Sequence, residues 1–131
     1  MNANANTNTH LVTIQLLEKI SSFVAENTRV RGDLEALNGE DLGLKVDGVV
    51  EGSIKLPKGG TVHIGPTGRV EGEVIEADYV YVEGEVVGGI LARKGVELSP
   101  SSTVKGSITY HGAMNMHSLA KVKGSVQYAG D

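Results

Sequence analysis

The sequence predicts an all-β fold: a three-sided β-helix (β-solenoid) of about five to six coils, preceded by a short amphipathic helix and a disordered N-terminal tail. Three observations carry that prediction. One short unit, Val-x-Gly-x-(Val, Ile or Leu), recurs along the chain. Equivalent residues return at spacings of 16 or 18. Among 131 residues there are 18 glycines but only one phenylalanine and no tryptophan, where a compact globule would bury several aromatics.

The repeat unit appears at Val30–Leu34, Val50–Ile54, Val70–Val74, Val82–Val86, Val104–Ile108 and Val122–Val126. Between these units lie alternating pairs: Leu44/Val46, Val62/Ile64, Val80/Val82, Val96/Leu98 and Met114/Met116. Period-two alternation marks a half-buried strand. Val62 to Val80, Val86 to Val104, Val96 to Met114 and Val104 to Val122 are each 18 apart; Val70 to Val86 and Val80 to Val96 are 16. A period near 18, split into three short strands, describes one coil, and coils stack at about 4.8 Å. In the unit at Val70, alternation sends Val70, Gly72 and Val74 inward and Arg69, Glu71 and Glu73 outward. The inward glycine reads as a corner where a side chain would strike the opposite wall. The outward middle positions read as a ladder, Glu71, Val87, Lys105, Lys123. A β-sandwich with turn glycines is the competing all-β reading, but its strands do not keep so regular a pitch.

The N-terminal region differs. Residues 1–10 form an Asn/Thr/Ala tail that reads as disordered. Over residues 11–26, Val12, Leu16, Leu17, Ile20, Phe23 and Val24 fall in one arc at helical periodicity, which predicts an amphipathic helix. Its apolar face, Val12, Leu16, Ile20, Phe23 and Val24, could cap the open first coil, pair with another helix, or lie on a membrane. With Lys19 its only base, capping or pairing is favoured. Residues 27–131 form the β-helix domain.

Composition narrows function. With 12 Lys+Arg against 16 Asp+Glu the chain is mildly acidic, and no nucleic-acid partner is expected. The acid excess is local: residues 47–90 hold eight acids and three bases (3 − 8 = −5), whereas residues 99–131 hold three bases and one acid (+2). The absence of cysteine removes disulfides and thiolate metal sites and fits a cytoplasmic location. No apolar run is long enough for a membrane-spanning helix.

No catalytic, cofactor-binding or metal-binding residue is assigned, no cofactor is expected, and the chain reads as a non-enzyme. The sharpest alternative is a left-handed β-helix enzyme of the hexapeptide acyltransferase or carbonic anhydrase type, in which histidines sit between coils. Such enzymes keep a strict six-residue repeat, whereas the register from Val62 to Val122 runs 8, 10, 6, 10, 8, 10, 8. His63, between inward Val62 and Ile64, should face solvent. His111 and His117 have no carboxylate nearby in sequence to orient them. The loops Lys58–Thr61 and Gly65–Gly68 match no phosphate-binding motif and open no helix. A further alternative is a non-polymerising adaptor that binds a partner through the N-terminal helix.

Residues from about 30 to 128 resemble the bactofilins, a family of bacterial cytoskeletal proteins. The resemblance rests on Leu44–Ile54, Val62–Val74, Tyr79–Ala92 and Val96–Pro100, in that order. It implies a right-handed three-sided β-helix, a hand that spacing alone does not give. It implies nucleotide-independent, non-polar filaments that scaffold cell-shape and cell-wall enzymes in the cytoplasm, at the inner face of the membrane. Residues 1–10 carry neither the apolar nor the basic character of a membrane-targeting peptide. The resemblance also implies an aromatic residue in the last coil used in polymer contacts; the matching region, Leu119 to Tyr128, offers only Tyr128.

A β-solenoid leaves unpaired N–H and C=O groups at both ends, which repeat proteins blunt with caps. Only five residues follow Val126, too few to cover a coil. The expected partner is therefore another copy of the chain. The expected polymerisation interface is Leu119, Val122, Val126 and Tyr128 at one end and Leu44 and Val46 at the other.

Overall fold

The computed structural model describes residues 20–37 and 42–130. Their fourteen strands, all parallel where they pair, form one continuous sheet wound into coils. The first coil holds β1 (Ile20–Val24), β2 (Arg29–Arg31) and β3 (Leu34–Glu35); the second holds β4 (Gly43–Val46), β5 (Val49–Glu51) and β6 (Ile54–Lys55). β7 (Thr61–Ile64) opens the third coil, and the long strands β8 (Arg69–Val82) and β9 (Glu85–Leu98) run through corners into the next coil. β10 (Thr103–Lys105) and β11 (Ile108–Tyr110) finish the fifth coil, and β12 (Ala113–Met116), β13 (Lys121–Lys123) and β14 (Val126–Tyr128) make the last.

Register defines three sides. One stacks Val24, Val46, Ile64, Val82, Leu98 and Met116. The second stacks Val30, Val50, Val70, Val86, Val104 and Val122. The third stacks Leu34, Ile54, Ile75, Ile90, Ile108 and Val126. Among the described residues the solenoid therefore has six coils. Every 16- and 18-residue pair read from the sequence is a pair of laddered neighbours, and so is the outward series Glu71, Val87, Lys105, Lys123. In the middle coils the inward Val and Ile side chains are fully buried, each contributing about 1.5–3 kcal/mol of burial.

The spacing varies because the corners do. Between the first and second sides, four-residue turns close at Ala25–Thr28, Gly65–Gly68, Ser99–Ser102 and His117–Ala120, with N–H···O distances of 2.8–3.1 Å. Two-residue corners at 47–48 and 83–84 nest against them. A Cβ on Gly84 would come within 3.0 Å of the carbonyl oxygens of both Gly65 and Gly68, so the short corner fits only with glycine there.

Three expectations need correction. Ile20, Phe23 and Val24 are not helical: they lie in β1, which pairs with β4 and puts Val24 in the core and Phe23 outside. Among the described residues the solenoid thus reaches back to Ile20, before residue 27; Val12 and Leu16 lie outside the described residues, as does the 1–10 tail. In the unit at Val70, Ile75 and not Val74 fills the inward position, because the register shifts between Glu71 and Val74. The hydroxyl of Ser53 takes up the two displaced amides, accepting from Glu73 N at 3.1 Å and Val74 N at 3.2 Å. Finally, the unit's glycine is not kept by the opposite wall. Gly52, Gly72, Gly88, Gly106 and Gly124 form a column in which an added Cβ would meet the carbonyl oxygen of the glycine one coil before it.

Candidate functional site

The ends of the solenoid differ from its middle. Among the described residues no strand stacks on the far side of β12, β13 or β14, so each has a neighbour on one edge only. A parallel rung finished on one edge is a template for another strand. The apolar side chains of this coil are far more exposed than those of the middle coils: Met116 at 47%, Leu119 at 65%, Val126 at 43% and Tyr128 at 52%. Their laddered neighbours one coil earlier, Leu98 and Ile108, are at 1% and 0%. The coil is nonetheless held in place. The Tyr110 and Tyr128 rings lie 5.4 Å apart, the Ser125 hydroxyl donates to that of Ser107 at 3.1 Å, and Ala129 N donates to Tyr110 O at 2.7 Å.

Besides exposed ion pairs such as Arg31–Glu51 and Arg69–Glu85–Lys105, the outer surface carries two polar clusters built around the buried side chains of Asp78 and His63. At one corner, Arg93 spans three coils: Nε donates to Asp78 at 2.8 Å, Nη1 to Glu76 at 3.1 Å and Nη2 to the Leu56 carbonyl. Burial pushes the Asp78 carboxyl up, but the Arg93 hydrogen bond, the Gly59 amide and the charges of Arg93 and Lys94 together hold it below its ordinary value. This cluster clamps coils to one another.

The second cluster corrects an expectation. His63 points outward but is buried, because Lys45 and Tyr81 are laddered on either side of it and outward side chains 4.8 Å apart cover one another. Its ring stacks on Tyr81 with centroids 4.8 Å apart, and Nε2 lies 2.6 Å from Glu83 Oε1. Burial, followed by the carboxylates of Glu83 and Glu97, pushes the Tyr81 phenol from its ordinary 10.0 up to about 12. The folded state thus favours the neutral phenol, a preference fully present below pH 10 and lost as pH rises towards 12. In an ultraviolet titration Tyr81 is expected to ionise well above the ordinary 10.0, at about pH 12. Stability is expected to fall over the same interval, and Tyr81→Phe should flatten that fall. A Tyr81→Phe chain with an unchanged alkaline profile would remove this account. Among the described residues no three His, Cys, Asp or Glu side chains come together as metal ligands would.

An open rung carrying exposed apolar residues suits polymer growth, and comparison with known proteins bears on that. Residues 22–127 match the family described as "Bactofilin: Polymer-forming cytoskeletal". The chain belongs to the bactofilin family. It is similar to the Thermus thermophilus bactofilin in the crystal structure of a point mutant, with 33% identity and a TM-score of 0.63 over 73% of this chain and 98% of the other. It is also similar to the cryo-EM reconstruction of Thermus thermophilus bactofilin double helical filaments, with 32% identity and a TM-score of 0.68 over 85% of this chain and 100% of the other. No curated protein matches it in sequence.

In this bactofilin the sequence-predicted interface residues separate into two groups. Leu119, Val122, Val126 and Tyr128 all lie on the last coil: Leu119 in the corner before β13, Val122 in β13, and Val126 and Tyr128 in β14. Leu44 and Val46 do not form a rim: at 7% and 0% exposure they sit inside the second coil, covered by β1. The sequence reading missed Met116. Its signal was present, since Leu98 plus 18 residues places Met116 in the same final coil.

Proposed function

We propose that this chain polymerises end to end through its last coil into filaments, without nucleotide, and that the filaments scaffold cell-shape or cell-wall proteins on the cytoplasmic side of the membrane. The observation that carries the reading is the exposed apolar rung made by Met116, Val126 and Tyr128 on a coil whose strands are paired on one edge only. Docking a second copy there buries those side chains and completes a row of backbone hydrogen bonds. Family membership supports the same reading, as do the filaments of the Thermus thermophilus relative. The right-handed winding implied by the family resemblance is part of the same reading. Nothing in end-to-end stacking consumes a nucleotide or calls for a catalytic group, so the filament is a structural element.

Electron microscopy of the purified chain, after nucleotides and divalent ions have been stripped, tests the proposal. Extended polymers are expected at every salt concentration. Particles that remain single under all these conditions would refute it.

A further inference from the structure

Charge is not shared evenly among the three sides. The strands of the second side carry six bases and three acids (6 − 3 = +3). The whole chain carries −4, so the remainder carries −7 (−4 − 3 = −7). In the first three coils every outward base of this side meets an acid. Glu51 accepts from Arg31 at 3.1 Å and lies 3.9 Å from Arg29, while Arg69 pairs with Glu71 at 2.6 Å and with Glu85 at 3.5 Å. Lys105, in the fifth coil, still reaches Glu85 at 3.4 Å. The sixth coil breaks the pattern. Lys121 and Lys123, both exposed, make no ion pair among the described residues, and Lys123 is laddered directly on Lys105. Three ammonium groups thus stand on two adjacent rungs, with Lys105 and Lys123 about 4.8 Å apart at the backbone and Lys121 and Lys123 about 6.6 Å apart. Like charges stacked in this way repel one another, and all three side chains face solvent, so the core does not require them.

We infer that Lys105, Lys121 and Lys123 bind an acidic, extended segment of a scaffolded protein. The inference rests on the reading of the filament as a scaffold and supplies the surface that holds the partner. In an extended segment lying along β13, the carboxylates of alternate residues are about 6.6 Å apart, which is the spacing of Lys121 and Lys123. Such a segment stays on the last two rungs. A bilayer or a nucleic-acid duplex laid against this side would also press its phosphates on Glu71, Glu73 and Glu85, two to three rungs away. The residues before Ile20 hold a single acid, Glu18, so that part of the chain does not supply the run of carboxylates. End-to-end docking uses the backbone edge and inward residues of the last coil and leaves its outward lysines on the flank. A filament then repeats the patch once per copy, and partners with several acidic segments bind it with avidity.

A fluorescent peptide of alternating Glu and Ser, titrated against the full chain at low ionic strength and followed by anisotropy, tests this. Saturable binding is expected, weakening steeply as salt is added. Lys121→Glu with Lys123→Glu is expected to weaken it about tenfold or more. Lys55→Glu with Lys58→Glu makes the same change of charge at exposed positions away from the second side, and should weaken it no more than about twofold. Absence of binding, or an equal loss in the two double variants, would overturn the inference. Tighter binding of phosphatidylglycerol vesicles or duplex DNA than of the peptide, lost with the same two lysines, would assign the patch to phosphates and overturn it as well. Filaments that form but ignore the peptide would remove this inference and leave the polymer standing. Chains that bind the peptide but never polymerise would support the patch and refute the polymer.

Discussion

Gly88→Ala is expected to destabilise the solenoid by about 3–5 kcal/mol, lowering the urea midpoint by roughly 2 M. Two effects combine at this residue. Its φ of 137° lies where an L side chain is strained, and its added Cβ would press into the carbonyl oxygen of Gly72 on the coil before it. That oxygen belongs to the backbone of a packed corner and cannot turn aside as a flexible side chain would. The column supplies its own control. Gly32 also has a positive φ, 126°, but sits in the first coil with nothing within 4 Å of an added Cβ. Gly32→Ala should therefore show the strain alone, about 1–2 kcal/mol. The comparison belongs at one protein concentration, so that assembly adds equally to both chains. If the two variants unfold at the same midpoint, stacking contributes nothing and the column is explained by backbone conformation only.

That control also shows what was legible in the sequence. The ladders were readable because inward valines and isoleucines alternate with polar residues, and because each coil repeats the one before it. Gly72 was recognisable as a corner residue, but not what obstructs it. The obstruction runs along the rod axis, from coil to coil, and a pattern read along one strand does not display it. The first coil was misread for a related reason. In Ile20–Val24 the inward residues are Ser22 and Val24 while Phe23 faces out, so the apolar positions fit a helical arc better than an alternating strand. Ser22 stands where the later coils hold Leu44, Val62, Val80 and Val96, and that single polar inward residue erases the strand signal. Taking residue 27 as the start of the solenoid then made Leu44 and Val46 look like a rim, when they are the second rung. His63 follows the same logic. Its outward direction was readable, but its burial depends on Lys45 and Tyr81, which are 18 residues away on either side.

Val126→Asp is expected to abolish filaments while leaving the fold intact. In the free chain Val126 is 43% exposed and at the end of its ladder, so a carboxylate there can reach water and the circular dichroism spectrum should not change. In an end-to-end contact the same carboxylate would be buried without a partner, against apolar residues of the neighbouring copy. Losing the valine contact and desolvating an unpaired charge together cost about 3–5 kcal/mol, or roughly a hundred- to several-thousandfold in affinity for each junction. A linear polymer needs every junction, so the loss is expected to appear in sedimentation as a collapse to small species. Val126→Ala removes the contact without adding charge, and should raise the concentration needed for assembly only about tenfold. This graded pair separates docking at the last coil from a general loss of solubility or folding. Filaments of Val126→Asp forming at the same threshold as the unsubstituted chain would mean that the last coil is not the docking end.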